Sequence, residues 1–100
     1  MIIRVWTCPL KKGAEKAFEE FAVREAAPLM RKTEGCLDAY FGIDFSSDPA
    51  VGVVVSLWRD IESIKSFTGG NWREPFIHPT EEPLLAEKPK VMHFDLIGKL

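Results

Sequence analysis

The sequence has only two cysteines, no run of like charges and no long apolar stretch. No apolar run approaches the roughly 20 residues that span a bilayer, and Arg4 interrupts the apolar start of the chain. The formal net charge of −2 comes from interspersed acidic and basic residues, which form no basic stripe that could bind several phosphates. We therefore expect a cytoplasmic protein that binds neither membranes nor nucleic acid.

Two cysteines in a chain without a secretion signal indicate free thiols in a reducing compartment. One hundred residues, 46% of them hydrophobic and 28% charged, provide material for one core, so residues 1–100 are predicted to form a single domain. Because a chain of this length buries a comparatively small share of its surface, pairing with a second copy would add apolar burial.

Four segments have the composition and alternation of β-strands. They are Ile2–Cys8, Cys36–Phe45, Val51–Trp58 and Val91–Ile97. The second is the clearest, because its odd-numbered residues from 37 to 45 are apolar whereas Asp38 and Asp44 lie among the residues of the other face. A turn at residues 46–49 joins the second and third strands into a predicted hairpin.

Two segments have apolar residues at helical spacing. The first runs from Ala14 to about Met30 and ends before Gly35, and Pro28 inside it predicts a kink or an irregular last turn. Asp60 is the predicted N-cap of the second helix, which ends at residues 69–70. Residues 71–89 contain four prolines and are predicted to be irregular, with one or two helical turns.

The order of strands and helices predicts an α+β, ferredoxin-like βαββαβ fold: a four-stranded antiparallel sheet with both helices on one face and the first and third strands in the middle. The first, third and fourth strands carry apolar side chains on both faces, as Val5 and Trp6 illustrate. The helices can cover only one face, and a large exposed apolar surface usually marks an interaction site. We therefore expect a homodimer with sheet-to-sheet packing.

Five short motifs extend over nearly the whole chain. They are Ile3-Arg4-Val5-Trp6, Glu34-Gly35-Cys36-Leu37, Ser56-Leu57-Trp58, Ile64-Lys65-Ser66-Phe67-Thr68-Gly69 and Val91-Met92-His93-Phe94-Asp95. Together they resemble the antibiotic biosynthesis monooxygenase domain family. The resemblance implies a dimeric α/β-barrel arrangement, and an enzyme that oxidises phenols or quinols with molecular oxygen in a pocket between sheet and helices.

Other members of that family bind and degrade haem with an Asn on the first strand, a Trp on the second helix and a following His. In this sequence the first position falls near Trp6 and the second near Phe67 or Thr68, so the Asn and the Trp are absent. Only His78 could match the third position. The resemblance therefore favours the cofactor-independent branch, and we expect no cofactor.

His93 and His78 are the candidate catalytic residues, because histidine titrates near neutral pH and could exchange a proton with a phenol. His93 lies in the last strand and could equally be a hydrogen-bonded histidine of the core or interface. His78 lies in the irregular segment, which is expected to cover a pocket mouth, and could equally be an exposed loop residue. No metal-binding motif accompanies them, so we expect no metal site.

The candidate substrate-binding residues are Arg4, Trp6, Tyr40, Trp58 and Trp72. The charge of Arg4 on a central apolar strand needs a carboxylate or a ligand anion, and Asp95 on the adjacent strand is a candidate structural partner. The aromatic residues could enclose a planar, small hydrophobic ligand, although core packing would explain many of them. Two hypotheses remain: a cofactor-independent monooxygenase acting on an aromatic or quinol-type molecule, and a non-catalytic small-ligand-binding or structural dimer.

Overall fold

The computed structural model describes residues 1–100 and contains four strands and three α-helices. In chain order they are β1 (Ile2–Pro9), α1 (Glu15–Phe21), α2 (Ala27–Lys32), β2 (Cys36–Asp44), β3 (Val51–Trp58), α3 (Ile61–Thr68) and β4 (Lys90–Asp95). The strands form one antiparallel sheet in the order β2-β3-β1-β4. The predicted ferredoxin-like architecture, with the first and third strands in the middle, is confirmed. None of the helices has the length and apolar composition needed to cross a membrane.

A π-helical segment (Ala22–Ala26) joins α1 to α2 just before the proline. The N–H of Ala27 donates to the carbonyl of Ala22, five residues earlier, so this turn is wider than an α-helical turn. Pro28 follows in the first turn of α2, where its missing N–H and its ring are accommodated without ending the helical path. The predicted irregularity is confirmed, and it takes the form of a π-helical turn.

Strand β2 differs from its predicted pattern at both ends. The register with β3 shifts between Cys36 and Asp38, so Leu37 is exposed and does not share the inner face with Phe41. At the other end the side chain of Asp44 accepts hydrogen bonds from the backbone N–H and the hydroxyl of Ser46, which starts the turn. The prediction that the strand includes Phe45 is therefore wrong, and Phe45 lies exposed beyond it.

The helix α3 begins and ends as the sequence predicts. The carboxylate of Asp60 accepts a hydrogen bond from the backbone N–H of Ser63 at 2.8 Å, which is the bond expected of an N-cap. Gly69 ends the helix in the left-handed conformation with φ of 84°. Between these residues Ile64 is fully buried against Trp58 and Met30.

The core lies on the helix side of the sheet in two clusters. The first is formed by Trp6, Cys8, Leu10, Ala14, Phe18 and Leu85, and the second by Met30, Trp58 and Ile64. Both cysteines are free, as predicted. Cys8 lies opposite Gly52 and Cys36 opposite Trp58 on β3, so the two thiols are at opposite ends of the sheet.

Residues 71–89, which we call the cover segment, lie across the end of the helix-sheet layer. They contain one 3-10 turn (Glu82–Leu84), within the predicted one or two helical turns. Backbone hydrogen bonds from Lys11 to Leu84 and from Ala86 to Pro9 attach the segment to the end of β1. The thiol of Cys8 also donates to the carbonyl of Glu87 at 3.1 Å. The segment is therefore irregular in conformation but firmly attached to the sheet.

The other face of the sheet, which we call the open face, has no helix on it. Its apolar side chains come from β1, β3 and β4 and include Ile3, Val5, Val53, Val55, Leu57, Met92 and Phe94. Those of β1 and β3 are partly covered by their neighbours, whereas Met92 and Phe94 are exposed. The structure therefore leaves an apolar surface on the sheet, as the alternation in the sequence predicts.

Candidate functional site

A cavity of about 60 Å³ lies between the sheet and the helices, next to both core clusters. Nine of its thirteen lining residues are apolar: Trp6, Phe21, Ala26, Leu29, Met30, Phe41, Val54, Phe67 and Phe76. The four polar ones are Arg4, Ser56, His78 and Glu81. Strand β1 contributes Arg4, while the cover segment contributes His78 and Glu81. An apolar cavity with a few converging polar groups is the usual form of a small-molecule site.

The structure brings three of the predicted site residues to this cavity: Arg4, Trp6 and His78. Tyr40 lies elsewhere, exposed on the open face, where its hydroxyl donates to the carboxylate of Asp38 at 2.8 Å. Trp58 is fully buried in the core and donates its indole N–H to the hydroxyl of Ser56.

Arg4 is only 3% exposed, and it binds neutral acceptors. One terminal nitrogen, Nη1, donates to the carbonyl of Trp72 and to Nε2 of His93, both at 2.7 Å. The other, Nη2, donates to the carbonyl of Glu74 at 3.1 Å. Burial lowers the pKa of the guanidinium to about 10. Through these hydrogen bonds Arg4 attaches the cover segment to strand β1.

The prediction that Asp95 pairs with Arg4 is wrong. Strand register places His93 opposite Arg4 and Asp95 opposite Ile2. No carboxylate forms an ion pair with the guanidinium, since the ion pairs of the chain involve other residues. The charge of Arg4 is thus buried without a counter-ion.

His93 lies beside this network and does not line the cavity. Because a guanidinium can only donate, Nε2 of His93 must accept, which requires the neutral ring with its proton on Nδ1. Burial and the nearby charges of Arg4 and Arg73 lower the pKa of His93 to about 4. The ring also meets the edge of Trp72, with centroids 4.7 Å apart. His93 therefore acts as a hydrogen-bond acceptor that positions the guanidinium of Arg4.

Glu81 is a site residue that the sequence analysis missed. It is 5% exposed, and one carboxylate oxygen accepts a hydrogen bond of 3.4 Å from the backbone N–H of His78. Burial raises the pKa of this carboxyl to about 7, opposed by that hydrogen bond. The neighbouring Glu82 is exposed. The sequence alone does not show which of these two glutamates is buried, because their burial depends on the path of the cover segment.

His78 is held in one tautomer at the cavity. Its Nδ1 accepts a hydrogen bond from the backbone N–H of Thr80 at 3.1 Å, so the neutral ring carries its proton on Nε2. The ring packs against Phe21, with centroids 5.5 Å apart. In this state His78 can donate a hydrogen bond from Nε2, while Nδ1 is engaged by the N–H of Thr80.

Trp6, which lines the same cavity, has a hydrogen-bond donor without a partner. Its ring stacks on Phe18 with an interplanar angle of 8°. The indole N–H is buried and has no hydrogen-bond acceptor in the protein. A buried polar group without a partner is rare in native proteins, and a functional role is one of its explanations.

The fold and this cavity define a ferredoxin-like α+β domain with a small, mainly apolar cavity between sheet and helices. The sequence model of the antibiotic biosynthesis monooxygenase family matches residues 1–71. Because the match covers more than half of the chain, this protein belongs to that family, and the resemblance of the short motifs is confirmed. His78 and Glu81 lie beyond the matched residues.

Solved structures share the fold at low sequence identity. A protein from Caulobacter crescentus CB15 aligns with a TM-score of 0.76 and 18% identity, over 97% of this chain and 90% of its own. NE2512, a protein of unknown function from Nitrosomonas europaea, gives 0.75 and 18% over 99% and 91%. The ActVA-Orf6 monooxygenase of Streptomyces coelicolor, in complex with nanaomycin D, gives 0.69 and 19% over 99% and 89%. No curated protein matches the chain.

Proposed function

We propose that the protein is a small cofactor-independent monooxygenase that acts on a phenol or quinol, with Glu81 as the proton acceptor. The observation that carries this proposal is a buried carboxyl with a pKa of about 7 on the wall of an apolar cavity. A general base works best when its pKa lies near the working pH. Membership of the monooxygenase family supports the class of reaction.

Hydrogen bonding favours Glu81 over the two predicted histidines as the base. The acceptor nitrogen of His93 is occupied by Arg4, and that of His78 by the N–H of Thr80. Glu81 accepts a single hydrogen bond, through one of its two oxygens. We therefore assign proton acceptance to Glu81 and propose that His78 orients the substrate by donating from Nε2.

The reaction needs no external reductant. After Glu81 takes the phenolic proton, the phenolate attacks molecular oxygen through a ring carbon, and the new peroxide anion takes a proton to become a hydroperoxide. The attacked ring carbon then loses its hydrogen as a proton while the hydroperoxide loses water, and this carbon becomes a carbonyl. The substrate supplies all four electrons that reduce the two oxygen atoms, one of which enters the product while the other leaves as water. The apolar walls keep bulk water from the anion.

The cavity is small for an organic substrate. At about 60 Å³ it has room for a few water molecules, whereas an apolar cavity that binds benzene measures about 150 Å³. Pockets for drug-sized ligands are commonly about 300 Å³ or larger. A one-ring substrate would therefore require a small displacement of Phe67 or Phe76, and a tricyclic substrate a larger one.

The test is oxygen consumption with hydroquinone and with anthrone, using isotopically labelled oxygen gas. We expect one labelled oxygen atom in the product of hydroquinone, slower reaction of anthrone, and a rate that rises with pH through about 7. Glu81→Gln should lower the rate by about 10²–10⁴-fold. Glu82→Gln, which removes the adjacent exposed carboxylate, is the matched control and should react like the wild type. Equal rates for the two variants would refute the role of Glu81.

The same cavity size favours a second candidate, a non-catalytic dimer that binds a small ligand or none. Much of the space between sheet and helices is filled by the protein's own side chains, as that hypothesis predicts. Absence of oxygen consumption with both substrates, together with measurable binding of one of them, would favour this function. Under either function we propose that two copies pack through their open faces.

A further inference from the structure

The cavity wall contains a buried positive charge that forms no ion pair with a carboxylate of the protein. Arg4 is 3% exposed, lines the cavity and binds two backbone carbonyls and one neutral imidazole. A buried charge is costly unless it is paired with an opposite charge. The other ionisable residues on the cavity wall are His78 and Glu81, and neither forms an ion pair with Arg4. The helices, β2 and β3 contribute no charged side chain to this wall.

Unused hydrogen-bond donors accompany this charge. A guanidinium has five N–H groups, and the three bonds of Arg4 occupy both on Nη1 and one on Nη2. The Nε N–H and the second N–H on Nη2 have no acceptor in the protein. Trp6, two residues along the same face of β1, adds a buried indole N–H that also lacks one. Strand β1 thus supplies two side chains that line the cavity and have three N–H donors without an acceptor in the protein.

We propose that the cavity binds a one-ring organic acid as its anion, with the oxygen atoms of the anion on the free N–H groups of Arg4 and Trp6, and that Glu81 takes up a proton as the anion binds. The proposal rests on the proposed function for the use of this cavity, and it names the substrate class: acidic phenols, enols and aromatic carboxylates.

The proton on Glu81 balances the charges. With Glu81 ionised the cavity carries one positive and one negative group, and an entering anion would leave it with one uncompensated negative charge. Uptake of one proton by Glu81 removes that charge and leaves the anion paired with Arg4. A neutral acid reaches the same state by transferring its own proton to Glu81, which is the first step of the proposed oxidation. Anion binding and substrate deprotonation therefore lead to the same state, in which Glu81 is protonated and the anion is paired with Arg4.

The probe is benzoate, with benzamide as its neutral isostere, measured by titration calorimetry at pH 8 in two buffers of different ionisation enthalpy. We expect benzoate to bind at least about 10-fold more tightly than benzamide. Its binding should take up close to one proton from the buffer, because most Glu81 is ionised at this pH. Glu81→Gln should bind benzoate without proton uptake, whereas Glu82→Gln should behave like the wild type.

Trp6→Phe tests the donors without disturbing the attachment of the cover segment, which depends on Arg4. The phenyl ring can keep the stack on Phe18 but lacks the N–H, so benzoate should bind several-fold more weakly, while benzamide, whose oxygen carries no charge, should lose less affinity. Equal affinity for benzoate and benzamide, no benzoate binding at millimolar concentration, or no proton uptake by the wild type would each overturn the proposal. Benzoate is not a phenol or quinol, so oxygen consumption can fail while this binding succeeds, and the two proposals fail separately.

Discussion

Glu81 is buried and His93 is partly buried. Burial raises the pKa of Glu81 and lowers that of His93, so the two residues make the stability of the protein depend on pH in opposite directions. The neutral form of each is favoured, because burial penalises the charged form. For Glu81 the folded pKa is raised from 4.5 to about 7. Its contribution to stability is complete below the unfolded value and is lost as the pH rises through about 7. For His93 the folded pKa is lowered from 6.5 to about 4, so its contribution is present above 6.5 and is lost as the pH falls towards 4.

Replacing Glu81 by Gln should therefore stabilise the protein in a pH-dependent way. The shift of Glu81 corresponds to a loss of about 3 kcal/mol in the free energy of unfolding between pH 4.5 and pH 8. We expect Glu81→Gln to gain up to that amount over the wild type at pH 8 and little at pH 4.5. Urea unfolding at pH 4.5, 6 and 8 measures the difference, and the His93 term cancels because both proteins contain it.

Glu82→Gln provides the control for this measurement, because Glu82 is the exposed neighbour of Glu81. Its difference from the wild type should stay near zero at all three pH values. A difference between Glu81→Gln and the wild type that does not change with pH would mean that Glu81 is ionised at its ordinary pKa in the folded protein. In that case it could not be a base tuned to neutral pH.

At the scale of the elements, Gly35 fixes how the turn before β2 packs on α3. Its φ is +89°, and a Cβ at this position would collide with the Oγ and Cβ of Ser63 in the first turn of α3. Gly69 has nearly the same backbone conformation, φ +84°, but nothing lies within 4 Å of its missing Cβ. The two glycines therefore separate the effect of backbone strain from that of close packing.

Gly69→Ala should cost about 1 kcal/mol in the free energy of unfolding, since the left-handed conformation is unfavourable for a residue with a Cβ. Gly35→Ala should cost about 1–3 kcal/mol more, because it also forces α3 away from the turn. Urea unfolding of both variants at pH 7.5 measures the difference. Equal losses would mean that α3 shifts at no cost, and the contact with Ser63 would not position the helix.

These local features explain which elements could be predicted. The alternation of β2, the cap at Asp60 and the stop at Gly69 depend on neighbours in sequence, so the sequence predicts them. The bulge that exposes Leu37 was not predicted because it depends on the pairing of β2 with β3. Pro28 predicted an irregular helix but could not distinguish a π-helical turn from a kink.

The candidate site was predicted only in part for the same reason. Arg4 was found because its charge on a central apolar strand needs a partner, and Trp6 because its aromatic ring could enclose a planar ligand. His78 was found because its residue type suggests chemistry. Glu81 depends on long-range bonds that hold the cover segment, such as that from Lys11 to Leu84, and no local pattern encodes them.

At the scale of the whole molecule, β1 connects the cavity to the open face. Its side chains alternate, so Arg4 and Trp6 point to the cavity while Ile3 and Val5 point to the open face. Burying about 600 Å² of apolar surface on each of two subunits would contribute about 30 kcal/mol before costs. The loss of motion on association offsets about 4–15 kcal/mol or more of this. Packing of a second copy would also hold β1 in place beneath the site.

Charge placed on the open face should therefore separate the subunits. Met92 and Phe94 on β4 are 55% and 48% exposed, so lysines at both positions can be solvated in a monomer but not between two packed sheets. We expect the wild type to sediment as a dimer at micromolar concentration and the variant Met92→Lys/Phe94→Lys as a monomer with unchanged helix and strand content by circular dichroism. Val23→Lys alters an exposed residue of the helix layer and should leave the dimer intact. A wild type that sediments as a monomer, or a variant that remains dimeric, would show that the open face is not the interface.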